Sequence, residues 1–466
     1  MIDSVLYRTL VPDAPLHRRT DADPGTAHAR ERQTAIRSAG APGPGLEKPR
    51  LTSSWQGRIE QLLFAFPAWA TGDPATSAGY RSVLSAMRPG TEFVVVHSPQ
   101  QRGTVEGWFR QAGHAEVTFV PLPEYVSFTD WAEDGYVALT DASDGSTYLV
   151  EPWEFLRAGD ALIADAVEEY TDVRATQAPL VFQGGNCLIG DDFWLLGTDY
   201  FADTVRLLQG ARPPVAVPEG ADLDAVVRGL FHDYVDATRE LRLVGARRPI
   251  AVPDFAGRRE GDGWFLDLPS DGVGTYQPIF HIDMFVTLAG RRGDRFTVLV
   301  GDPSMADSML GTRSPYGLTD VYDQIARTFA GAGMDVVRNP LVHRPTRGRN
   351  FSVAELRRIG EGDAALLRAV AELTASGADD DTPVTVRSWH HVTWNNCLVE
   401  DSAAQGRHVY LPTFGAGAPD LAALDAHTAT LWEGLGFTVH RLADFGSFAR
   451  RQGVVHCIKK YHRRGD

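Results

Sequence analysis

Short apolar runs alternate along most of the chain with stretches whose apolar residues return at helical spacing. Glu92-Phe93-Val94-Val95-Val96-His97 predicts a strand, Thr104 to Ala112 a helix, and Glu116-Val117-Thr118-Phe119-Val120 a second strand. The alternation recurs. Asp192-Phe193-Trp194-Leu195-Leu196 leads into a helix through Thr204-Val205-Arg206-Leu207-Leu208, and Phe296-Thr297-Val298-Leu299-Val300 precedes a helical stretch from Val321 to Phe329. His408-Val409-Tyr410-Leu411-Pro412 is followed by a helix over Leu421 to Leu435 and then by the strand Phe437-Thr438-Val439-His440. Strands spaced by helices predict an α/β architecture, and modules of similar length suit a radial arrangement. Stretches rich in Gly, Asp and Arg near 211–223, 256–263 and 374–382 read as surface loops or insertions. Residues 1–52, rich in Pro, Ala, Arg, Asp and Gly, show little period and read as an extended or partly disordered arm. The expected organisation is that arm followed by a single domain over 53–466, with an insertion near 209–275.

Composition narrows the class. The 466 residues are 43% apolar and 23% charged, as in a globular protein with a substantial core. No apolar run approaches the roughly 18 residues of a membrane helix, and the N-terminus lacks a basic region followed by an apolar core, so neither membrane nor secretion is expected. The three cysteines, Cys187, Cys397 and Cys457, are far apart and form no CxxC or CxxH pair, which predicts reduced thiols in a cytoplasmic protein. A net charge of −15 argues against nucleic acid as the main partner and is compatible with a cationic substrate.

Candidate chemistry gathers in three segments. Gly453-Val454-Val455-His456-Cys457 reads as a buried strand, with Gly453 permitting backbone to pass close to a ligand. A lone thiol there is ordinarily apolar filler. Phe280-His281-Ile282-Asp283-Met284-Phe285 and Trp131-Ala132-Glu133-Asp134-Gly135-Tyr136 change that reading, because the three segments together supply a nucleophile, an acid/base and two carboxylates. That is the equipment needed to attack a guanidinium carbon. If 279–286 is a strand, His281, Asp283 and Phe285 share one face, and a His and an Asp on an otherwise apolar strand need partners to be buried. In a strand over 454–459, Cys457, Val455 and Lys459 share a face and His456 takes the other, so the base for Cys457 is expected from elsewhere. Lys459 reads as a solvated strand-end lysine, with electrostatic support of a thiolate as its functional alternative. Asp134 taken alone reads as an Asp in a surface turn.

Phe182-Gln183-Gly184-Gly185-Asn186 is a turn before the strand Cys187-Leu188-Ile189, and its glycines permit positive φ or close backbone approach. A His-x-Asp pair can ligate metal, but no second cluster stands at suitable spacing, so no metal is expected. Phosphate-loop, HExxH and GxSxG patterns are absent. His390 and His391 adjoin, so on a strand they point to opposite faces.

In their order, Trp-x-x-Asp (Trp131, Asp134), Gly-Gly-Asn (Gly184, Gly185, Asn186), His-x-Asp (His281, Asp283) and a C-terminal Val-His-Cys (Cys457) resemble the guanidino-group-modifying superfamily, the pentein enzymes. That superfamily includes agmatine deiminases, arginine deiminases, amidinotransferases and protein-arginine deiminases. Asn396-Cys397-Leu398-Val399, Leu411-Pro412-Thr413-Phe414-Gly415, Leu435-Gly436-Phe437, Asp444-Phe445 and Gly453 to Cys457 look most like the protein-arginine deiminase catalytic domain. The likeness covers roughly residues 115–200, 276–300 and 390–466. It implies a five-bladed α/β propeller of repeated ββαβ modules with the site at its centre, and makes 53–466 a catalytic domain. It also implies Cys457 as nucleophile, His281 as general acid/base, Asp134 and Asp283 as guanidinium clamps, and Trp131, Gln183, Gly184, Gly185 and Asn186 around the substrate, with no cofactor. Three features depart from the pattern. Gln183 stands where several deiminases have Glu, Glu133 where agmatine deiminases have Arg, and the stretch after Asp134 is shorter than in the calcium-dependent animal enzymes.

The implied activity is hydrolysis of arginine, expected within a peptide or natural-product scaffold, to a ureido product and ammonia through a covalent thiouronium. The alternative is an amidinotransferase, in which an amine replaces water; a binding module that kept only the fold is a third. The expected partner is a guanidinium-containing small molecule or an arginine-containing peptide.

Overall fold

The computed structural model describes residues 45–465 except 156, 252–253, 269–272 and 315–316, together with Leu10, Glu31, Arg32, Thr34, Ala35 and Gly43. Most of the arm expected over 1–52 lies outside the described residues; Pro49–Leu51 within it is a strand, paired antiparallel with Val137–Asp141.

The fold is mixed α/β, and the described strands form five sheets. Each repeats one order: an antiparallel pair of strands, a helical crossover, and a strand returning parallel to the second. An antiparallel pair can close through a short turn, whereas a parallel return needs a crossover, which the helices provide. The first sheet runs Val137–Asp141, Thr147–Glu151, the helix Ile163–Tyr170, then Arg174–Gln177. The second runs Cys187–Ile189, Phe193–Gly197, the helices Thr198–Leu208 and Leu223–Tyr234, then Glu240–Val244. In the third, Val286–Arg292 and Arg295–Asp302 are followed by the helices Pro303–Leu310 and Thr319–Gly331 and the long strand Asp335–Ser352. The fourth takes Leu398–Ser402, Gly406–Thr413, the helix Ala422–Gly434 and Thr438–Asp444. The fifth joins the two ends of the described chain: Lys459–Gly465 lies antiparallel to Arg58–Phe66, which is followed by the helix Pro74–Ala86 and the parallel strand Glu92–His97.

Leu62, Leu63, Phe64, Ala65 and Phe66 are all fully buried, the continuous apolar run of a strand covered on both faces. The next helix starts where Asp73 accepts from the Thr76 N–H at 2.7 Å with Pro74 in the first turn, a cap that satisfies a helical donor. The stretch 256–263, expected as a surface loop, is instead part of a hairpin, Ala256–Glu260 with Gly263–Asp267. Gly261, at φ +58°, makes its turn, so the glycines that suggested a loop serve a tight reversal. No described helix is long and apolar enough to cross a membrane.

Buried histidines give the fold an acid limit. His391, on the strand Pro383–Thr393, and His462, on the strand Lys459–Gly465, are pushed down to about 4 by burial. The unfolded chain takes up these protons near pH 6.5, the folded one only near pH 4, so in this window the unfolded state binds more protons and stability falls as pH falls. Each group withdraws about 3 kcal/mol across that window. Urea midpoints are therefore expected to drop steadily between pH 7 and pH 5; a flat midpoint over that range would contradict the assignment.

Candidate active site

Five turns meet in one ring, and each precedes the first strand of one sheet's antiparallel pair. They are residues 131–135, 183–186, 281–284, 395–397 and 454–458. Each is linked to the next, the third through Thr287 of the strand that follows it. Gly184 N–H donates to Asp134 O at 3.2 Å, and Ile282 N–H to Asn186 Oδ1 at 3.1 Å. Thr287 Oγ1–H donates to Asn395 O at 2.6 Å, and His456 N–H to Asn396 Oδ1 at 2.8 Å. Glu133 N–H closes the ring on Cys457 O at 3.1 Å. Cys457, His281, Asp283 and Asp134, spread along the chain, thus come together, exposing between 1% and 4% of their surface.

Two of the turns were expected as strands. His281 to Met284 lies in a tight 3-10 turn over Ile282–Met284, and the strand begins only at Val286. Period-two geometry therefore does not apply, and His281 and Asp283 face different neighbours. His281 Nε2–H donates to Gln183 Oε1 at 2.7 Å while its Nδ1 lies 3.6 Å from Asp134 Oδ1. Asp283 Oδ2 lies 2.8 Å from His456 Nδ1 and 3.7 Å from Cys457 Sγ. Likewise 454–458 is a turn, and the strand starts at Lys459. His456 consequently does not point away from Cys457's surroundings: both side chains reach the same carboxylate oxygen. Gly453 admits not a ligand but the Trp131 ring, which a Cβ there would strike. Arg451 also lies over that ring, 5.0 Å from its centre, and is doubly bonded to Asp130 at 2.8 Å.

The glycine pair acts through close approach. A Cβ on Gly184 would run into the Glu133 carbonyl, and one on Gly185 would stand 2.5 Å from His281 Nδ1. Asn186 holds the neighbouring turn with its whole amide: Oδ1 accepts from Ile282 N–H and from Gln277 Nε2 at 2.7 Å, and Nδ2 donates to Phe280 O at 2.7 Å.

Several functional partners escaped the sequence reading. Asn396 Nδ2 donates to Cys457 Sγ at 3.2 Å and its Oδ1 accepts from the Cys457 N–H at 3.3 Å, fixing the thiol. Lys459, expected in solvent at a strand end, is fully buried and bonds Glu133 Oε2 at 2.7 Å; Lys460 Nζ donates to Glu133 Oε1 at 2.8 Å. Burial draws Lys459 down to about 8, against the pull of Glu133. Charged residues flanking both Asp134 and Cys457 were the available signal, since buried charges demand partners. Asp134, far from a surface turn, accepts from Arg157 Nη2 at 2.7 Å, and Arg157 Nε donates to Asp160 at 2.6 Å. Removing Arg157 strands two buried carboxylates, so Arg157→Met is expected to destabilise by about 3–5 kcal/mol in urea unfolding at pH 7. A variant as stable as the parent would refute the pairing.

The electrostatics set the chemistry. Burial, with Asp283 and Asp134 nearby, holds the Cys457 thiol well above its ordinary value, while Asn396 opposes this. Burial, then Asp134 and Glu133, push Asp283 well above the carboxylate range. Both effects weaken when a cation enters between the carboxylates. Oδ1 of Asp134 and Oδ1 of Asp283 are buried without a hydrogen-bond partner among the described residues. Among those residues no three His, Cys, Asp or Glu side chains are grouped to hold a metal ion.

No family model matches the chain, and no curated protein matches it in sequence. Solved structures do share its fold. The agmatine deiminase of Enterococcus faecalis superposes with a TM-score of 0.50 at 15% identity, over 96% of this chain and 98% of that one. That of C. jejuni gives 0.50 at 11% identity, over 88% and 95%. A structural-genomics protein described as an agmatine deiminase gives 0.53 at 16%, over 90% and 96%. The chain therefore shares its fold with these agmatine deiminases, one of the groups whose motif order it resembles.

Proposed function

We propose that the protein is a deiminase that hydrolyses the guanidinium group of arginine or an arginine-like compound, free or in a peptide, to a ureido group and ammonia. The observation that carries this reading is the meeting, in one ring of turns, of a buried thiol, an imidazole and two carboxylates, each carboxylate keeping one oxygen without a hydrogen bond among the described residues. In this reading the five sheets close as a five-bladed propeller within one catalytic domain over 53–466, a closure supported by the five inter-turn bonds.

A guanidinium is resonance-stabilised, so attack requires it to be held and oriented as well as met by a strong nucleophile. Asp134 and Asp283 hold it. Its charge favours ionisation of Cys457, whose thiolate attacks the central carbon to form a tetrahedral adduct. His281 delivers a proton to the departing nitrogen, ammonia leaves, and a thiouronium remains on Cys457. His281 then takes a proton from water, which adds to the same carbon and expels the thiolate, leaving the ureido product. Gln183 fixes the imidazole without adding a charge that would hold its proton.

Purified protein incubated with free arginine, agmatine and an arginine-containing peptide should release ammonia and ureido product in equal amounts from at least one. Transfer of the amidino group to an added amine, without ureido product, would replace hydrolysis by transfer. Silence with all three substrates and with amine acceptors would count against the reading.

A further inference from the structure

Asp134 and Asp283 are built alike. Each has one oxygen tied to a protein donor: Oδ2 of Asp134 to Arg157 Nη2 at 2.7 Å, and Oδ2 of Asp283 to His456 Nδ1 at 2.8 Å. Each keeps its other oxygen, Oδ1, buried and without a hydrogen-bond partner among the described residues. An open buried acceptor is unfavourable until a donor arrives, and a guanidinium brings a plane of N–H donors. Resting on the deiminase reading, we infer that His456 is a positioning residue, anchoring Oδ2 of Asp283 so that Oδ1 faces the substrate guanidinium, as Arg157 does for Asp134.

The two anchors differ in charge. Arg157 is a permanent cation. Burial, with Lys459, Lys460, Arg464 and His281 nearby, holds His456 well below the ordinary histidine value. Its imidazole is therefore neutral, and in the tautomer protonated on Nδ1 it donates to the ionised carboxylate, while Nε2 has no hydrogen-bond partner among the described residues. The groups facing Asp283 are His456 and Cys457 from the last turn, Lys459 from the strand that follows, and Glu133 and Asp134 from the first sheet's turn. The acidic pair opposes its ionisation and Lys459 favours it. A donor to the carboxylate favours the charged form too, so losing His456 Nδ1–H makes Asp283 take up a proton at higher pH. The cation clamp then fails earlier on acidification.

The test reads the clamp without turnover. Alkylation of Cys457 in the full chain is followed across pH with 2-chloroacetamidine, a cation, and with 2-chloroacetamide, its neutral isostere. The unchanged protein should prefer the cation, with the preference fading at acid pH. His456→Phe should lose about ten- to hundredfold of that preference and shift its acid midpoint upward. His456→Asn, whose amide N–H falls where Nδ1 stands, should retain both. If His456→Phe keeps preference and midpoint, the positioning role is wrong and the clamp stands. If the unchanged protein shows no preference, the deiminase reading itself fails. Should His456→Phe not fold, His456→Gln carries its amide one carbon too far, and behaviour equal to His456→Asn would overturn the inference.

Discussion

Cys457→Ala is expected to lose ureido formation by about ten-thousandfold or more while the protein stays folded. The nucleophile has no understudy. Cys187 is buried, with its thiol pushed up to about 12, and Cys397 is raised further in the same direction by burial. Neither yields appreciable thiolate at neutral pH. Stability should change little, because the substitution removes one sulfur whose ionisation burial already opposes, and Asn396 Oδ1 keeps its bonds to the backbone of His456 and residue 457. Substrate binding should survive, since Asp134 and Asp283 are untouched. Ammonia release, ureido product and thermal midpoint measured on one preparation decide the matter. Activity within tenfold of the parent would exclude covalent catalysis through this residue.

Gly185→Ala is expected to cut kcat/KM by about a hundredfold, the scale that follows a displacement of about 1 Å in a catalytic group. The added Cβ would stand 2.5 Å from His281 Nδ1 and 3.0 Å from its Cγ, so the ring must shift, disturbing its approach to Asp134 and its bond to Gln183. Gly184→Ala makes the informative contrast. Its Cβ meets the Glu133 backbone carbonyl, which cannot swing aside as a side chain can, so its main loss is stability. Neither glycine has a positive φ among those of the described chain, so steric approach rather than backbone strain separates the two outcomes. If Gly185→Ala leaves kcat/KM unchanged, the placement of His281 is not critical.

Much of the architecture was legible in local pattern. Glu92–His97 is a strand over those very residues, the helix expected over Leu421 to Leu435 spans Ala422–Gly434, and Cys187–Ile189 follows its glycine turn as expected. The errors share a cause. Residues 281–284 and 454–458 are turns with the apolar composition of strands, because they lie at the buried centre of the fold and not at its surface. The polarity that marks ordinary turns is a surface property. Once those stretches were taken for strands, alternation placed His281 beside Asp283 and turned His456 away from Cys457, and both inferences fell together.

The sequence by itself determined which chemistry is present: a thiol, an imidazole and two carboxylates, in an order that resembles a known superfamily. It also determined the repeated strand and helix pattern, since that depends on neighbours a few residues apart. Only the tertiary structure decided which oxygen of each carboxylate is tied to a protein donor. Arg157 claims Oδ2 of Asp134, His456 claims Oδ2 of Asp283, and Glu133, from the adjoining turn, pairs with both Lys459 and Lys460. Most of these partners come from different sheets, so no local period links them; they meet because five turns close on one another and exclude water, and burial then obliges each charge to find its partner.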